Sequence, residues 1–232
     1  MPRNKTLDFM RAAAIVMMVA FHIIFDLTFF GYINTEIPTG SGWREWRALI
    51  VSLFLLSVGA SLVFSFSDKL AIKKYLNRLL LLSIASLVVT MSSLIMTPES
   101  WIYFGVLHFI TVATLILTWV RRCPNLCVIS GIIVLVAFFG EFVPLNWSFS
   151  LFKEHLPSYT QDLVSPFPWL ALPLFGIWLA HQSWFRQDPL RRIKLPDVMA
   201  WSSRHSLLIY LLHQPILFAS LYLLGLIIHL SE

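Results

Sequence analysis

One stretch near the amino terminus constrains the fold more than any other part of this sequence. Residues 8–30 form an almost continuous apolar run, and about 20 apolar residues are enough for a helix to cross a bilayer. The run nevertheless carries four ionisable side chains, namely Asp8, Arg11, His22 and Asp26. A charged side chain at the centre of a membrane helix costs about 2.5–3.5 kcal/mol. We therefore predict a membrane helix whose polar groups face protein or water rather than lipid.

Helical geometry places these four side chains on one narrow stripe. With Arg11 at the origin and 100° added per residue, His22 falls at about 20°. Asp8 and Asp26 both fall at about 60° on the same scale. One interpretation is a functional site that runs along the helix. The other is structural: Asp8 and Arg11 pair at the membrane interface, while His22 and Asp26 hold neighbouring helices together.

The composition extends the membrane interpretation to the whole chain. Of its 232 residues, 58% are hydrophobic and 12% are charged, whereas a soluble domain is about 25% charged. We predict an all-α, polytopic membrane helical bundle that forms a single domain over residues 1–232. Its seven transmembrane helices are predicted at 8–30, 48–66, 76–96, 101–120, 126–143, 167–184 and 205–229.

The distribution of Lys and Arg predicts the orientation of these spans. The amino terminus and the loops after the second, fourth and sixth spans hold Arg3, Lys5, Arg11, Lys69, Lys73, Lys74, Arg78, Arg121, Arg122, Arg186, Arg191, Arg192, Lys194 and Arg204. The opposite side holds Arg44, Arg47 and Lys153. Because cytoplasmic loops are rich in Lys and Arg, the amino terminus is predicted in the cytoplasm and the carboxyl terminus outside, in the periplasm. The net charge of +5 reflects these loops, and no nucleic-acid partner is predicted.

Two other sequence features exclude common alternatives. Cys123 and Cys127 are the two cysteines, and they have no His, Asp or Glu companions at a metal-ligand spacing. We therefore predict ordinary thiols and no metal site. The first span is longer than the 7–15 apolar residues of a signal peptide, so we predict that it remains a membrane helix.

Three polar side chains in later spans are further candidate site residues. His108 lies about 10 Å along the fourth span, at a depth compatible with that of His22. Tyr210 and His213 lie about 60° apart on the seventh span, where a polar stripe should face the interior of the bundle. For each of them, a hydrogen bond within the bundle is the plainer alternative.

Several motifs resemble those of integral-membrane acyltransferases. Residues 7–11 read Leu-Asp-Phe-Met-Arg, and ten residues separate Arg11 from His22. The supporting stretches are 22–27, 53–62, 104–108, 168–176 and 205–215. Taken together, they resemble the bacterial members of the heparan-α-glucosaminide N-acetyltransferase catalytic-domain family and, more distantly, acyltransferase family 3.

The resemblance implies an enzyme of the bacterial cytoplasmic (inner) membrane. Such an enzyme passes an acyl group, expected to be acetyl, from cytoplasmic acetyl-CoA to an amine or hydroxyl of an envelope sugar or glycan. Arg11 and Asp8, near the cytoplasmic end of the first helix, are then expected to bind acetyl-CoA. Because the loop 31–47 contains no histidine, the likeness to acyltransferase family 3 assigns the general base to His22, with Asp26 fixing its tautomer.

The same resemblance makes His108, Tyr210 and His213 the candidates for binding the acceptor. Two other functions stay open at this point. A proton-coupled small-molecule transporter also uses His and Asp stripes, and a non-catalytic membrane assembly protein uses polar residues to join helices. Acyl-CoA consumption by the purified protein would distinguish all three. The sequence leaves the acceptor and the oligomeric state open, a homo-oligomer included.

Overall fold

The computed structural model describes residues 4–66, 71–160 and 162–231. Within these ranges the chain is all-α, and no strand is present. Arg3 and Lys69, which contribute to the predicted charge asymmetry, lie outside the described residues. The helices are α1 (Lys5–Phe29), α2 (Ser41–Ser65), α3 (Ile72–Met96), α4 (Val106–Val120), α5 (Pro124–Phe139), α6 (Pro166–Trp169), α7 (Ala171–His181), α8 (Ser183–Arg186), α9 (Asp197–Arg204) and α10 (Ser206–Ser231).

A helix occupies each of the seven predicted spans, but their lengths differ. Four helices, α1, α2, α3 and α10, are long and apolar enough to cross a membrane. The apolar helices α4 and α5 have 15 and 16 residues, and α7 has 11, all below the usual length of a span. Over the described residues, the chain is thus an all-helical membrane protein with four candidate spans, while seven spans and the orientation remain predictions.

Local contacts explain where the helices depart from the predicted boundaries. α2 begins at Ser41, ahead of the predicted start at 48, because Trp43 and Trp46 stack on each other and both contact Phe21. α4 begins only at Val106, whose backbone N–H donates to the Asp162 carboxylate at 3.0 Å. The sixth span is divided into α6 and α7.

The chain divides into two compact units. The first comprises Met1–Phe54 and Asp188–Glu232, and the second comprises Leu55–Gln187. In the first unit, α1 packs against α9 and α10. A cluster of Met18, Phe21 and Ile50 with the loop residue Ile37 forms part of its buried core.

The amino-terminal end of α1 is stabilised by Asp188, which belongs to the same unit as α1. The Asp188 carboxylate accepts hydrogen bonds from the backbone N–H groups of Lys5 at 2.8 Å and Thr6 at 2.9 Å. It also accepts one from the Thr6 hydroxyl at 2.7 Å. Burial alone would raise the pKa of Asp188, but the hydrogen bonds from Thr6 and from neighbouring backbone amides outweigh burial and lower that pKa below 3.8. The carboxylate thus satisfies amides that a helix start leaves unpaired.

In the second unit, α2 and α7 approach each other at glycines. A Cβ added to Gly59 would overlap the backbone carbonyl of Pro173, and one added to Gly176 would overlap that of Leu56. Small residues allow membrane helices to pack this closely. Elsewhere in this unit, α3 packs on α4 and α5 packs on α7.

Candidate active site

Two histidines and an Asp–Gln pair meet between α1 and α10. The ring centroids of His22 and His213 are 4.7 Å apart. One turn further along α1, the Asp26 carboxylate accepts a hydrogen bond of 2.8 Å from the side-chain amide of Gln214. Asp26 is 0% exposed, so this contact lies inside the first unit. The structure therefore joins three residues predicted as site residues to one that was not.

A hydrogen bond fixes the protonation pattern of the His213 ring. Its Nδ1 lies 2.8 Å from the backbone carbonyl oxygen of Tyr210. A carbonyl can only accept, so Nδ1 carries the proton. In the neutral ring, Nε2 is then left with a lone pair that can accept a hydrogen bond or a proton. Pro215, two residues further on in the same helix, cannot donate a backbone hydrogen bond to this region.

Four polar atoms of this cluster are buried and have no hydrogen-bond partner among the described residues. They are His22 Nδ1, Asp26 Oδ2, His213 Nε2 and Gln214 Oε1. Buried polar side chains usually have a partner in the protein or in ordered water. Four such atoms on two facing helices therefore mark a place where a polar substrate can gain hydrogen bonds.

The structure does not contain the predicted contact in which Asp26 fixes the tautomer of His22 by a hydrogen bond. Asp26 bonds to Gln214, and His22 Nδ1 has no partner among the described residues. His22 and Asp26 lie four residues apart on α1, but the Asp26 carboxylate bonds to Gln214 of α10. Gln214 was not predicted from the sequence because its side chain is uncharged. In addition, the spacing of residues within one helix does not indicate a partner on another helix.

Aromatic side chains surround part of this cluster. The Tyr210 ring centroid is 5.8 Å from that of His213 and 6.5 Å from that of Phe54. Tyr210 also packs against the buried cluster that contains Phe21. In that cluster the indole Nε1 of Trp46 is buried without a partner among the described residues. Tyr210 therefore lies next to His213, and an acceptor-binding role for it remains a prediction.

Asp8 and Arg11 lie toward the opposite end of α1. Asp8 is buried, and its carboxylate accepts a hydrogen bond of 2.9 Å from the Ser203 hydroxyl of α9. Arg11 is half-buried. Because α1 is continuous, the Cα atoms of Arg11 and His22 are about 16 Å apart along it. Asp8 has a structural partner, and binding of acetyl-CoA by these two residues remains a prediction.

His108 belongs to the second unit, where both of its ring nitrogens are engaged. Nδ1 accepts a hydrogen bond of 3.2 Å from the backbone N–H of Gly105. Nε2 therefore carries the proton and donates to the Thr90 hydroxyl at 3.0 Å. That hydroxyl in turn donates to the Ile102 carbonyl at 2.8 Å. These are the contacts of a residue that holds the start of α4, and an acceptor-binding role for His108 remains a prediction.

Among the residues described, no group of three or more His, Cys, Asp or Glu side chains could hold a metal ion. Cys123 is exposed, and Cys127 is buried.

One of the comparisons with known proteins gives a match. A family model described as heparan-alpha-glucosaminide N-acetyltransferase, catalytic, matches residues 3–215. No curated protein matches the chain, and no solved structure matches it. The matched range covers most of the chain and includes every residue of the cluster.

Proposed function

Because the chain belongs to the heparan-alpha-glucosaminide N-acetyltransferase catalytic family, we propose that it is an acyltransferase of the bacterial cytoplasmic membrane. Its donor is acetyl-CoA, and its acceptor is an amine or hydroxyl group of an envelope sugar or glycan. The observation that carries the proposal is the set of four buried polar atoms that have no hydrogen-bond partner in the described part of the chain and that α1 and α10 bring together. A binding site for a polar substrate leaves such atoms available to the substrate, whereas the polar atoms of a packed core are usually hydrogen-bonded within the protein.

Acetyl-CoA approaches from the cytoplasmic end of α1 in this proposal. The Arg11 guanidinium offers two parallel N–H groups, which suit a phosphate or a carbonyl oxygen. The distance of about 16 Å from Arg11 to His22 along α1 is similar to the length of a pantetheine arm. An acetyl thioester can therefore reach His22 while the nucleotide end stays near Arg11 and Asp8.

The transfer itself needs one proton to be removed and one to be supplied. The acceptor nitrogen or oxygen attacks the thioester carbonyl, the new C–N or C–O bond forms, and the C–S bond breaks with the electron pair on sulfur. His22 takes the proton from the acceptor and returns it to the CoA thiolate. General-base catalysis of this kind contributes about 10²–10⁴-fold. Asp26, one turn away, stabilises the imidazolium by its negative charge.

The acceptor lies against α10 in the same scheme. His213 Nε2 receives a hydrogen bond from an acceptor N–H or O–H, and Tyr210 forms the adjoining wall. In the first unit, this places the donor along α1 and the acceptor between α1 and α10.

The proposal predicts the behaviour of His22→Gln. The purified protein should release CoA from acetyl-CoA in the presence of glucosamine, and the rate should rise with pH as the base loses its proton. In His22→Gln the rate should fall by on the order of 10²-fold or more, and its rise with pH should disappear. His155→Gln is the matched control, because His155 is exposed and lies outside the cluster. A pH profile that is unchanged in His22→Gln would move the base elsewhere.

The paired histidines and Asp26 also suit a proton relay, so a proton-coupled transporter is the second candidate. It predicts substrate flux into proteoliposomes without consumption of acetyl-CoA. Loss of the folded protein in His22→Ala, with neither activity detectable in the wild type, would instead indicate that the cluster only joins helices.

A further inference from the structure

The hydrogen bond between Gln214 and Asp26 has a defined polarity. A carboxylate accepts hydrogen bonds, so the amide nitrogen of Gln214 must face it. The distance of 2.8 Å from Nε2 to Oδ1 is that of a well-formed bond. This contact uses one oxygen of Asp26 and the nitrogen of Gln214, so one oxygen of each side chain takes no part in it. Those atoms are Asp26 Oδ2 and Gln214 Oε1.

Both remaining oxygens are buried, and neither has a partner among the described residues. Both are acceptors, so they cannot satisfy each other. They belong to two side chains that are already joined by a hydrogen bond, so one small molecule can reach both of them. A molecule that carries two neighbouring hydrogen-bond donors can donate to both oxygens.

We propose that Asp26 and Gln214 form an acceptor pair that selects the acyl acceptor by two neighbouring donor groups, such as an amine beside a hydroxyl or two adjacent hydroxyls. Gln214 thereby holds Asp26 in place and also determines specificity. The inference rests on the proposed transfer reaction. It adds a residue, Gln214, and a rule for which acceptors the site takes.

The competing explanation is that the pair only joins α1 to α10. Asp26→Asn separates the two explanations, because it keeps the joining bond. The new side chain can still accept the Gln214 amide through its oxygen, but its second atom becomes an NH₂ donor. If the pair is purely structural, Asp26→Asn should keep the wild-type preference between acceptors, even though loss of the negative charge lowers the rate with all of them. An acceptor pair should lose that preference, since a donor then faces the donor groups of the acceptor.

The double variant Asp26→Asn/Gln214→Glu provides the complementary test. It reverses the joining bond, so that the amide on α1 donates to the carboxylate on α10. The free atom on each side is then an oxygen again. Selection of the acceptor should return in the double variant, although the negative charge has moved from one helix to the other.

The experiment measures transfer from acetyl-CoA to glucosamine and to its 3-, 4- and 6-deoxy analogues. Loss of a donor that pairs with a buried acceptor should lower kcat/KM by on the order of tenfold to hundredfold for at least one analogue in the wild type. That preference should vanish in Asp26→Asn and return in the double variant. Binding of acetyl-CoA and the midpoint of thermal unfolding should match the wild type in Asp26→Asn.

The outcomes separate this inference from the proposed function. Absence of transfer in the wild type with glucosamine would count against the acyltransferase reaction itself. Transfer that does not distinguish any deoxy analogue, or Asp26→Asn with the full wild-type preference, would overturn the acceptor pair. A folded double variant that binds acetyl-CoA but has no preference would overturn it too. If the double variant does not fold, Asp26→Asn decides alone.

Discussion

The two histidines of the cluster differ in how their ring protons are held. His213 donates from Nδ1 to the Tyr210 carbonyl, which leaves Nε2 as a fixed acceptor. His22 Nδ1 has no partner among the described residues, so its tautomer is free to follow the substrate. A base that takes up a proton and releases it again needs this freedom, whereas a residue that binds a donor group benefits from a fixed lone pair.

The substitution His213→Asn tests the role of that lone pair. An asparagine amide can still donate to the Tyr210 carbonyl, but it has no counterpart of Nε2. We expect the acceptor KM to rise by on the order of tenfold, with little change in acetyl-CoA binding or thermal unfolding. His205→Asn is the matched control, because His205 Nδ1 bonds in the same way to the Trp201 carbonyl at 3.0 Å. A similar rise in KM for both variants would contradict an acceptor-binding role for His213.

At the scale of helices, the Asp188 carboxylate acts as an N-terminal cap of α1, because it accepts hydrogen bonds from the backbone N–H groups of Lys5 and Thr6. Asp188→Asn keeps one acceptor oxygen and replaces the other with an NH₂ group, so we expect it to lower the free energy of unfolding by about 0.5–1.5 kcal/mol, the usual net contribution of one hydrogen bond. Asn is the appropriate replacement because Asp188 has φ of 56°, a conformation that Asn adopts more readily than most residues. Chemical unfolding of the purified protein in detergent measures the change. Equal stability of variant and wild type would show that Lys5 and Thr6 need no cap from Asp188.

The same carboxylate makes the stability depend on pH in a known direction. Its pKa is lowered in the folded protein, so folding favours the charged form. The stabilisation is complete above the ordinary Asp value of 3.8 and is lost as the pH falls through the lower folded value. The wild type and Asp188→Asn should therefore converge in stability at acid pH.

The contact between α2 and α7 predicts a large effect for a single methyl group. In Gly176→Ala the new methyl group would overlap the Leu56 carbonyl, and we expect a loss of about 1–3 kcal/mol, as for other overpacked sites. Gly42→Ala is the matched control on α2, since nothing lies within 4 Å of an added Cβ there. Thermal unfolding of both variants measures the difference. Tolerance of both changes would mean that α2 and α7 can move apart without cost.

At the scale of the whole molecule, the charge pattern predicts which side each loop occupies. Reporter domains fused after Gly42 and after Glu232 should report the periplasm. Fusions after Lys74 and Arg192 should report the cytoplasm. A cytoplasmic signal after Glu232 would remove the seven-span topology, because an odd number of spans requires the two termini to face opposite sides.

The sequence predicted the helices better than the contacts between them. Apolar runs give the position of each helix because the bilayer sets their length. The stripe on α1 likewise follows from helical periodicity alone. In contrast, the partner of Asp26 depends on how α10 is rotated and packed, which no period within α1 encodes. His108 was predicted as a site residue from its depth; its ring accepts a hydrogen bond from Gly105 and donates one to Thr90 in its own unit, and its site role stays a prediction.

The hydrogen bond from Gln214 to Asp26 joins residues 188 positions apart, and this has a consequence for biogenesis. At about 5–20 residues per second, Asp26 leaves the ribosome on the order of ten seconds or more before its partner does. The first helix must therefore enter the membrane before Gln214 is available to its carboxylate. The second unit, which is continuous from Leu55 to Gln187, can be completed during that interval. The helices that carry the candidate active site are thus the last part of the protein to assemble.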